Sequence, residues 1–138
     1  MSIRNRMIRS VSMRQGEIIL RSDFDRMGSQ SQISRVLSDF VREGRLVRIG
    51  HGVFAKARIS DLTARPVPRE PLEVLAAETF RRLNIEVDQG RAQRDYASGK
   101  STQVPVQAVF NTGRRRISRK LTLGKRSIRY ENDYSVRA

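Results

Sequence analysis

The stretch of sequence that decides the fold runs from Gly28 to Lys56 and reads GSQSQISRVLSDFVREGRLVRIGHGVFAK. Its first part repeats apolar residues with the i, i+3, i+4, i+7, i+8 spacing of an amphipathic helix. These residues are Ile33, Val36, Leu37, Phe40 and Val41. Ser29, with Gln32 three residues later, predicts a capping box that opens the helix, and Gly44 predicts its end. Strand-like segments follow at 46–49 and 53–56 around a Gly-His-Gly turn, which predicts a tight hairpin.

The residues before this stretch extend the same pattern. Apolar residues at helical spacing predict a helix over residues 2–13, and residues 17–20 predict a strand that pairs with the hairpin. Ser22, with an acidic residue three positions later, predicts a capped short helix that runs to Met27. Gly28 is expected to adopt the left-handed conformation that a helix end often needs. Two caps around one glycine predict the abrupt turn of a helix-turn-helix, so residues 1–58 are expected to form a winged helix-turn-helix.

The remaining sequence predicts a second, smaller domain. Residues 59–70 contain Pro66 and Pro68 and are expected to form a stiff linker. Residues 71–138 are expected to form a small α+β domain in which a helix, starting at Pro71, packs on an antiparallel β-meander. The helix face consists of Leu72, Leu75, Ala76, Thr79, Phe80 and Leu83. The fold class is therefore α+β.

Composition narrows the function classes. The 138 residues carry 28 Lys and Arg against 14 Asp and Glu, a formal net charge of +14, which attracts polyanions such as nucleic acid. There is no cysteine, which excludes disulfides, thiolate zinc sites and thiol nucleophiles and is compatible with the cytoplasm. No apolar run is long enough to span a membrane, and no P-loop or GxSxG motif is present. We therefore expect no enzyme, no cofactor, no metal, no catalytic residue and no membrane partner.

The helix within the Gly28–Lys56 stretch is the expected reader of DNA. Its early polar residues would reach base edges in the major groove, with glutamine suited to adenine and arginine to guanine. The hairpin would lie along the DNA backbone or the minor groove. The expected DNA-binding residues are Ser29, Gln30, Ser31, Gln32, Ser34, Arg35, Arg42, Arg45, Arg48, His51 and Lys56. The competing interpretation of such a helix face is a solvated surface without a ligand.

A second basic segment lies between Asn111 and Tyr130, which holds eight basic residues and no acidic one. It could be a solvated face, contact phosphates or dock an acidic protein. The residues that would make such contacts are Arg114, Arg115, Arg116, Arg119 and Lys120.

The chain resembles the AbiEi-type antitoxins of abortive-infection toxin–antitoxin systems. The hairpin of that family follows a pattern that is matched here by Glu43, Gly44, Arg45, Leu46, Arg48, Gly50, Gly52 and Phe54. The segment STQVPVQAVFNTGRRRISRKLTLGKRSIRYEN, residues 101–132, is similar to the second domain of the family. The resemblance implies a repressor that binds inverted repeats of double-stranded DNA in its own promoter. It also implies opposition to a cognate nucleotidyltransferase-like toxin.

The leading hypothesis is thus a sequence-specific DNA-binding transcriptional repressor of antitoxin type. One alternative is a protein-interaction module that docks an acidic partner. Another is a non-specific nucleic-acid-binding accessory protein of a mobile element. Salt dependence and competition with random duplex separate these, because only a specific regulator keeps its preference for one sequence as salt rises.

Overall fold

The structure is a computed structural model that describes residues 2–90, 99, 109–113 and 117–131. The chain divides into two compact units, Met1–Pro71 and Leu72–Ala138. Within the described residues the fold is α+β, with three α-helices and small β-sheets. None of the helices in this part of the chain is long and apolar enough to cross a membrane.

The first unit begins with the predicted helix and strand. Helix α1 spans Ile3–Met13, and the Ser2 hydroxyl accepts a hydrogen bond from the Asn5 backbone N–H at 3.1 Å. Strand β1 spans Ile18–Leu20 and is fully buried. Both predictions are confirmed, since each element lies within its predicted range.

The short helix that follows differs from the prediction. It is a 3-10 helix over Arg21–Phe24, and it does not continue to Met27. The Asp23 carboxylate, rather than Ser22, caps it by accepting a hydrogen bond from the Leu20 backbone N–H at 2.9 Å. Phe24, at the end of this turn, is completely buried in the core of the first unit.

Helix α2 spans Gln30–Arg42 and opens with the predicted capping box. The Gln32 backbone N–H donates to the Ser29 hydroxyl at 3.2 Å, and the Ser29 backbone N–H donates to Gln32 Oε1 at 2.9 Å. The helix ends where Gly44 predicts, and Gly44 follows it at a φ of +80°, the left-handed conformation common just after a helix. The buried face consists of Ile33, Val36, Leu37 and Phe40.

Gly28 serves a different purpose from the predicted one. It is not among the glycines with positive φ. A Cβ atom at this position would lie 2.4 Å from Ile3 Cδ1 and 2.8 Å from Gln32 Oε1. Gly28 therefore allows the chain to pass closely between α1 and the side chain of Gln32.

The predicted hairpin is present and joins a sheet with the order β1-β3-β2. Strand β2 spans Leu46–Gly50 and β3 spans Val53–Ile59, and β3 pairs antiparallel with β1 and with β2. Arg48 lies opposite Phe54 and Gly50 opposite Val53, so the register shifts beside the turn. One face of the sheet packs on α1 and α2 around a buried cluster that includes Met7, Ile19, Phe24, Ile33, Phe40, Leu46 and Phe54.

The proline-rich segment is not a linker throughout. Strand β4, Pro66–Pro68, pairs with the end of β3, and the first unit extends to Pro71. The expectation of a linker over residues 59–70 is therefore wrong for these residues. In an antiparallel strand, every second backbone N–H points away from the partner strand, and proline fits there because it has no N–H. Pro66 and Pro68 are two positions apart, so both can occupy such positions, while Val67 between them pairs with Arg58.

The second unit begins with helix α3, Leu72–Arg82, whose predicted face is buried at Leu72, Leu75, Ala76, Thr79 and Phe80. Its short strands are β5 (Asp88–Gln89), β6 (Val109–Asn111), β7 (Thr122–Leu123), β8 (Arg126–Ser127) and β9 (Arg129–Glu131). One sheet has the order β5-β6-β9, and β7 and β8 form a separate hairpin.

The predicted antiparallel meander is wrong, because β6 pairs with β9 in parallel. Aromatic packing accounts for this choice of partner. The Phe80 ring lies 5.3 Å from the Phe110 ring and 6.0 Å from the Tyr130 ring, both edge to face. Pairing β6 with β9 brings these rings onto one helix residue, and each such aromatic pair contributes about 0.5–1.5 kcal/mol beyond its buried area.

Candidate nucleic-acid interface

The beginning of α2 and the turn of the β2–β3 hairpin lie on one surface because Arg21 bonds to both. Its backbone N–H donates to the Gly52 carbonyl oxygen at 2.9 Å. Its guanidinium donates to Gln30 Oε1 from Nε at 3.1 Å and from Nη2 at 2.9 Å, and Nη2 also donates to the Gln30 carbonyl oxygen at 2.9 Å. Arg21 directly follows β1, which pairs with β3, so the sheet fixes its position.

The exposed face of α2 holds most of the polar residues that the sequence predicts as DNA-binding. Ser29 lies just before the helix, Ser34 is half-buried, and the exposed residues on α2 are Gln30, Ser31, Gln32, Arg35 and Arg42. The Ser31 and Ser29 hydroxyls are 3.2 Å apart. The Arg35 guanidinium forms no hydrogen bond or ion pair with any residue in the described part of the chain, so all its donors are available.

The two glutamines are less versatile than the sequence suggests. Reading adenine requires a glutamine that donates and accepts at once. The Gln30 side-chain oxygen accepts from Arg21, and that of Gln32 accepts from the Ser29 backbone. Two bonds from Arg21 use both lone pairs of the Gln30 oxygen, so Gln30 does not offer a donor and an acceptor together in this structure. The Gln32 oxygen accepts one internal bond and keeps one lone pair.

Ion pairs divide the arginines that were predicted to bind DNA into two groups. Arg42 is paired with Asp39, and Arg45 lies 3.1 Å from Glu43. Arg4 also bonds Glu43 at 2.6 Å, and these hydrogen bonds hold the pKa of that carboxyl below its ordinary value. By contrast, Arg35 on α2 and Arg48 on the hairpin have no carboxylate partner among the described residues. Of the four arginines predicted to bind DNA, Arg35 and Arg48 are therefore the two whose charge is not paired with a carboxylate in the described part of the chain.

The hairpin presents its predicted residues unequally. Arg48 is exposed, and its Nε donates to the Gly50 carbonyl oxygen at 3.3 Å. His51 is exposed at the turn, next to Gly52 at a φ of +68°. Both side chains thus lie at the end of the hairpin that Arg21 connects to α2.

Lys56 does not belong to this surface. It is half-buried, and its Nζ donates to the Arg14 carbonyl oxygen just beyond α1. It lines a groove of about 520 Å³ together with apolar residues such as Val11 and Phe40. Lys56 therefore satisfies a carbonyl at the end of a helix, which is a structural role.

The basic residues of the second unit are only partly described. Arg114, Arg115 and Arg116 lie outside the described residues. Arg119 is half-buried, and its carbonyl oxygen accepts a hydrogen bond from the Tyr130 hydroxyl at 2.5 Å. Lys120 is exposed. Of the five residues predicted to make such contacts, the structure thus describes one exposed lysine and one half-buried arginine.

Arg21 is the residue that sequence reasoning missed. It lies between a strand and a 3-10 helix and nine residues before Gln30, a spacing that no helical or strand period connects. Only the closure of the sheet brings the two together. The described residues contain no cluster of three or more His, Cys, Asp or Glu that could hold a metal.

Comparison with characterised proteins gives a family and no activity. No curated protein matches the chain. A family model, described as a family of unknown function (DUF6088), matches residues 5–135, which is nearly the whole sequence. The chain therefore belongs to the DUF6088 family of unknown function.

Proposed function

We propose that the first unit is a winged helix-turn-helix that binds double-stranded DNA and regulates transcription. Its elements follow one another as helix, strand, 3-10 turn, helix, strand and strand, with the sheet order β1-β3-β2. This is the arrangement expected of a winged helix, with α2 as the recognition helix and the β2–β3 turn as the wing. One departure is that a 3-10 helix of four residues stands in for the first helix of the helix-turn-helix pair.

The observation that carries the proposal is the exposed surface shared by α2 and the wing. Arg21 holds the two together, and Arg35 and Arg48 present guanidinium groups without carboxylate partners. An exposed α-helix fits the major groove, and arginines beside it can meet base edges or phosphates. If this face were only solvated, the hydrogen bonds by which Arg21 links the helix to the hairpin would serve no binding purpose.

The resemblance to AbiEi-type antitoxins extends this proposal to a biological role. The protein would repress its own promoter by binding inverted repeats and would oppose a nucleotidyltransferase-like toxin. Co-expression with the adjacent gene tests the second part: rescue of growth supports an antitoxin. Absence of toxicity, or toxicity without rescue, removes the antitoxin role and leaves DNA binding untouched.

Fluorescence anisotropy with the protein's own upstream DNA and with a random duplex tests DNA binding. We expect the upstream DNA to keep an advantage as salt is raised, while both affinities fall because phosphate contacts release counterions. Arg35→Ala should weaken binding to the upstream DNA roughly tenfold or more, as the loss of a base contact would. Equal affinities for both duplexes at every salt concentration would point to a non-specific accessory protein.

Arg58→Ala is the matched control for charge. Arg58 is exposed, has no carboxylate partner among the described residues, and lies on β3 about 17 Å from Val53 at the rise of an extended strand. Its loss removes the same charge away from the proposed interface. If it weakened binding as much as Arg35→Ala does, diffuse charge and not this surface would carry the affinity.

A further inference from the structure

We infer that the first two turns of α2 select guanine in the major groove, because the side chains there that could span a base edge leave their hydrogen-bond donors available and turn their acceptors to donors within the protein. The inference rests on the proposed function and names the base that this surface prefers. It arises from two glutamines whose oxygens accept internal hydrogen bonds and one arginine whose donors are unused.

Gln30 is held in one orientation by Arg21. A guanidinium has donors and no acceptor, so the Gln30 amide must turn its oxygen, and not its nitrogen, toward Arg21. The two bonds to Oε1, at 3.1 and 2.9 Å, occupy that oxygen. The bond of 2.9 Å from Arg21 to the Gln30 carbonyl fixes the arginine as well. Gln30 therefore turns its NH₂ group, which only donates, away from Arg21.

Gln32 and Arg35 have the same polarity. The Ser29 backbone N–H is a donor, so Gln32 must present its oxygen to it, at 2.9 Å, and its NH₂ group remains available. Arg35 lies one turn further along the helix and is exposed, with donors alone. The hydroxyls of Ser31 and Ser34 can donate or accept and therefore adapt to either kind of base.

The bases differ in the donors and acceptors that they present in the major groove, so a face with available donors prefers some bases over others. Guanine presents two acceptors, N7 and O6, whereas adenine pairs its N7 acceptor with an N6 amino donor and cytosine presents an amino donor. Such a face complements both acceptors of guanine. Against adenine or cytosine it places an N–H group opposite an amino group. Adenine or cytosine should therefore bind roughly tenfold or more weakly at each contacted position, whereas thymine, with the single acceptor O4, leaves one donor without a partner.

Arg21 is thus a positioning residue for specificity. It touches no base in this proposal and acts by occupying the acceptor of Gln30. Replacing it with methionine keeps the length of the side chain but frees the Gln30 oxygen. Gln30 could then donate to N7 and accept from N6 of adenine. We expect Arg21→Met to accept adenine at one position where the wild type requires guanine.

Selection of the full-length protein against a random-sequence duplex pool tests the inference. Guanine should be enriched at the contacted positions. In the selected duplex, replacing such a guanine with 7-deazaguanine removes the N7 acceptor and keeps the base pair, and it should weaken binding roughly tenfold. Arg58→Met serves as the control, and its selected sequence should equal that of the wild type.

Each outcome decides the matter. Enrichment of adenine at those positions, or tight binding without any base preference, overturns the inference and leaves DNA binding standing. No binding to any duplex overturns the proposed function as well. If Arg21→Met fails to fold, the 7-deazaguanine measurement on the wild type still decides, because an unchanged affinity contradicts guanine reading.

Discussion

The two units of the chain reach a stable fold by different means. In the first unit, β2 and β3 are five and seven residues long, and the core consists of apolar side chains from two helices and a sheet. In the second, the described strands are two or three residues long, and Thr79, Asn111 and Thr112 are buried among apolar residues. The first unit therefore depends on repeated apolar patterns, whereas the second depends on a few long-range contacts and buried hydrogen bonds.

The largest expected effect comes from truncating the centre of the first core. Phe40 is 1% exposed, and the Arg4 guanidinium lies 5.3 Å from its ring centre. Phe40→Ala should lower the free energy of unfolding of the first unit by about 3–5 kcal/mol. Urea unfolding, with amide hydrogen exchange to separate the units, measures this. Equal loss of protection in both units would show that they unfold as one body and would break the comparison.

A smaller effect is expected from a buried polar bond in the second unit. The Gly113 backbone N–H donates to Asn111 Oδ1 at 2.9 Å, and Asn111 is fully buried. Asn111→Ala leaves that N–H without its acceptor and should cost about 1–3 kcal/mol. Protection should fall at β6 and β9 and stay unchanged in α2. An equal fall in the protection of α2 would contradict a local role for this bond.

The capping box of α2 should contribute less. Ser29→Ala removes the acceptor of the Gln32 backbone N–H and should lower the stability of the first unit by about 1 kcal/mol. Ser38, exposed in the middle of the same helix, gives the matched variant Ser38→Ala, which removes a hydroxyl without a capping role. Thermal unfolding of both variants measures the two effects, and equal shifts in melting temperature would contradict a role for the cap.

The smallest effect is a dependence on pH. Two hydrogen bonds from Arg69, at 2.8 and 2.6 Å, hold the pKa of Glu17 below its ordinary value of 4.5. Because the folded pKa is depressed, this stabilisation is present above pH 4.5 and is lost as the pH falls through the folded pKa. Arg69 is about half exposed, so the contribution should be about 1 kcal/mol or less.

Comparing wild type with Glu17→Gln measures that contribution. The difference in unfolding free energy should be greatest above pH 4.5 and shrink in acid as wild-type Glu17 takes up its proton. A difference that stays constant from pH 7 to acid would mean that the glutamine changes packing and that the Glu17 charge contributes nothing.

Most of the first unit could be predicted from the sequence because its signals are local. The spacing of Ile33, Val36, Leu37 and Phe40, with the reciprocal cap at its start, defines α2 within a residue. Local patterns could not predict which of two neighbouring polar residues caps the short helix after β1. Asp23 caps the 3-10 helix in place of Ser22, and both are residues that can accept a hydrogen bond from a backbone N–H.

The second unit and the candidate interface were harder to predict for the same physical reason. Two- and three-residue strands are too short to show a period, so the parallel partner of β6 depends on contacts of Phe80 with rings that are distant in sequence. Similarly, the predicted surface included Gln30 and Arg35, but the bond from Arg21 that decides the polarity of Gln30 requires the closed sheet. The sequence predicted which types of side chain lie on the surface. It could not predict the hydrogen bonds that decide which donors and acceptors of those side chains remain available.

The parallel pairing of β6 with β9 has a consequence for synthesis on the ribosome. The first unit has all its strands once Pro68 has emerged, and it can fold while the rest of the chain is being made. The β5-β6-β9 sheet cannot be completed until Arg129–Glu131 has been translated. Until then, β6 lacks β9 as its parallel neighbour, and apolar side chains of α3 and β6 are accessible to chaperones or proteases. A ribosome that stops before Arg129 would therefore release a complete first unit attached to an unfinished second one.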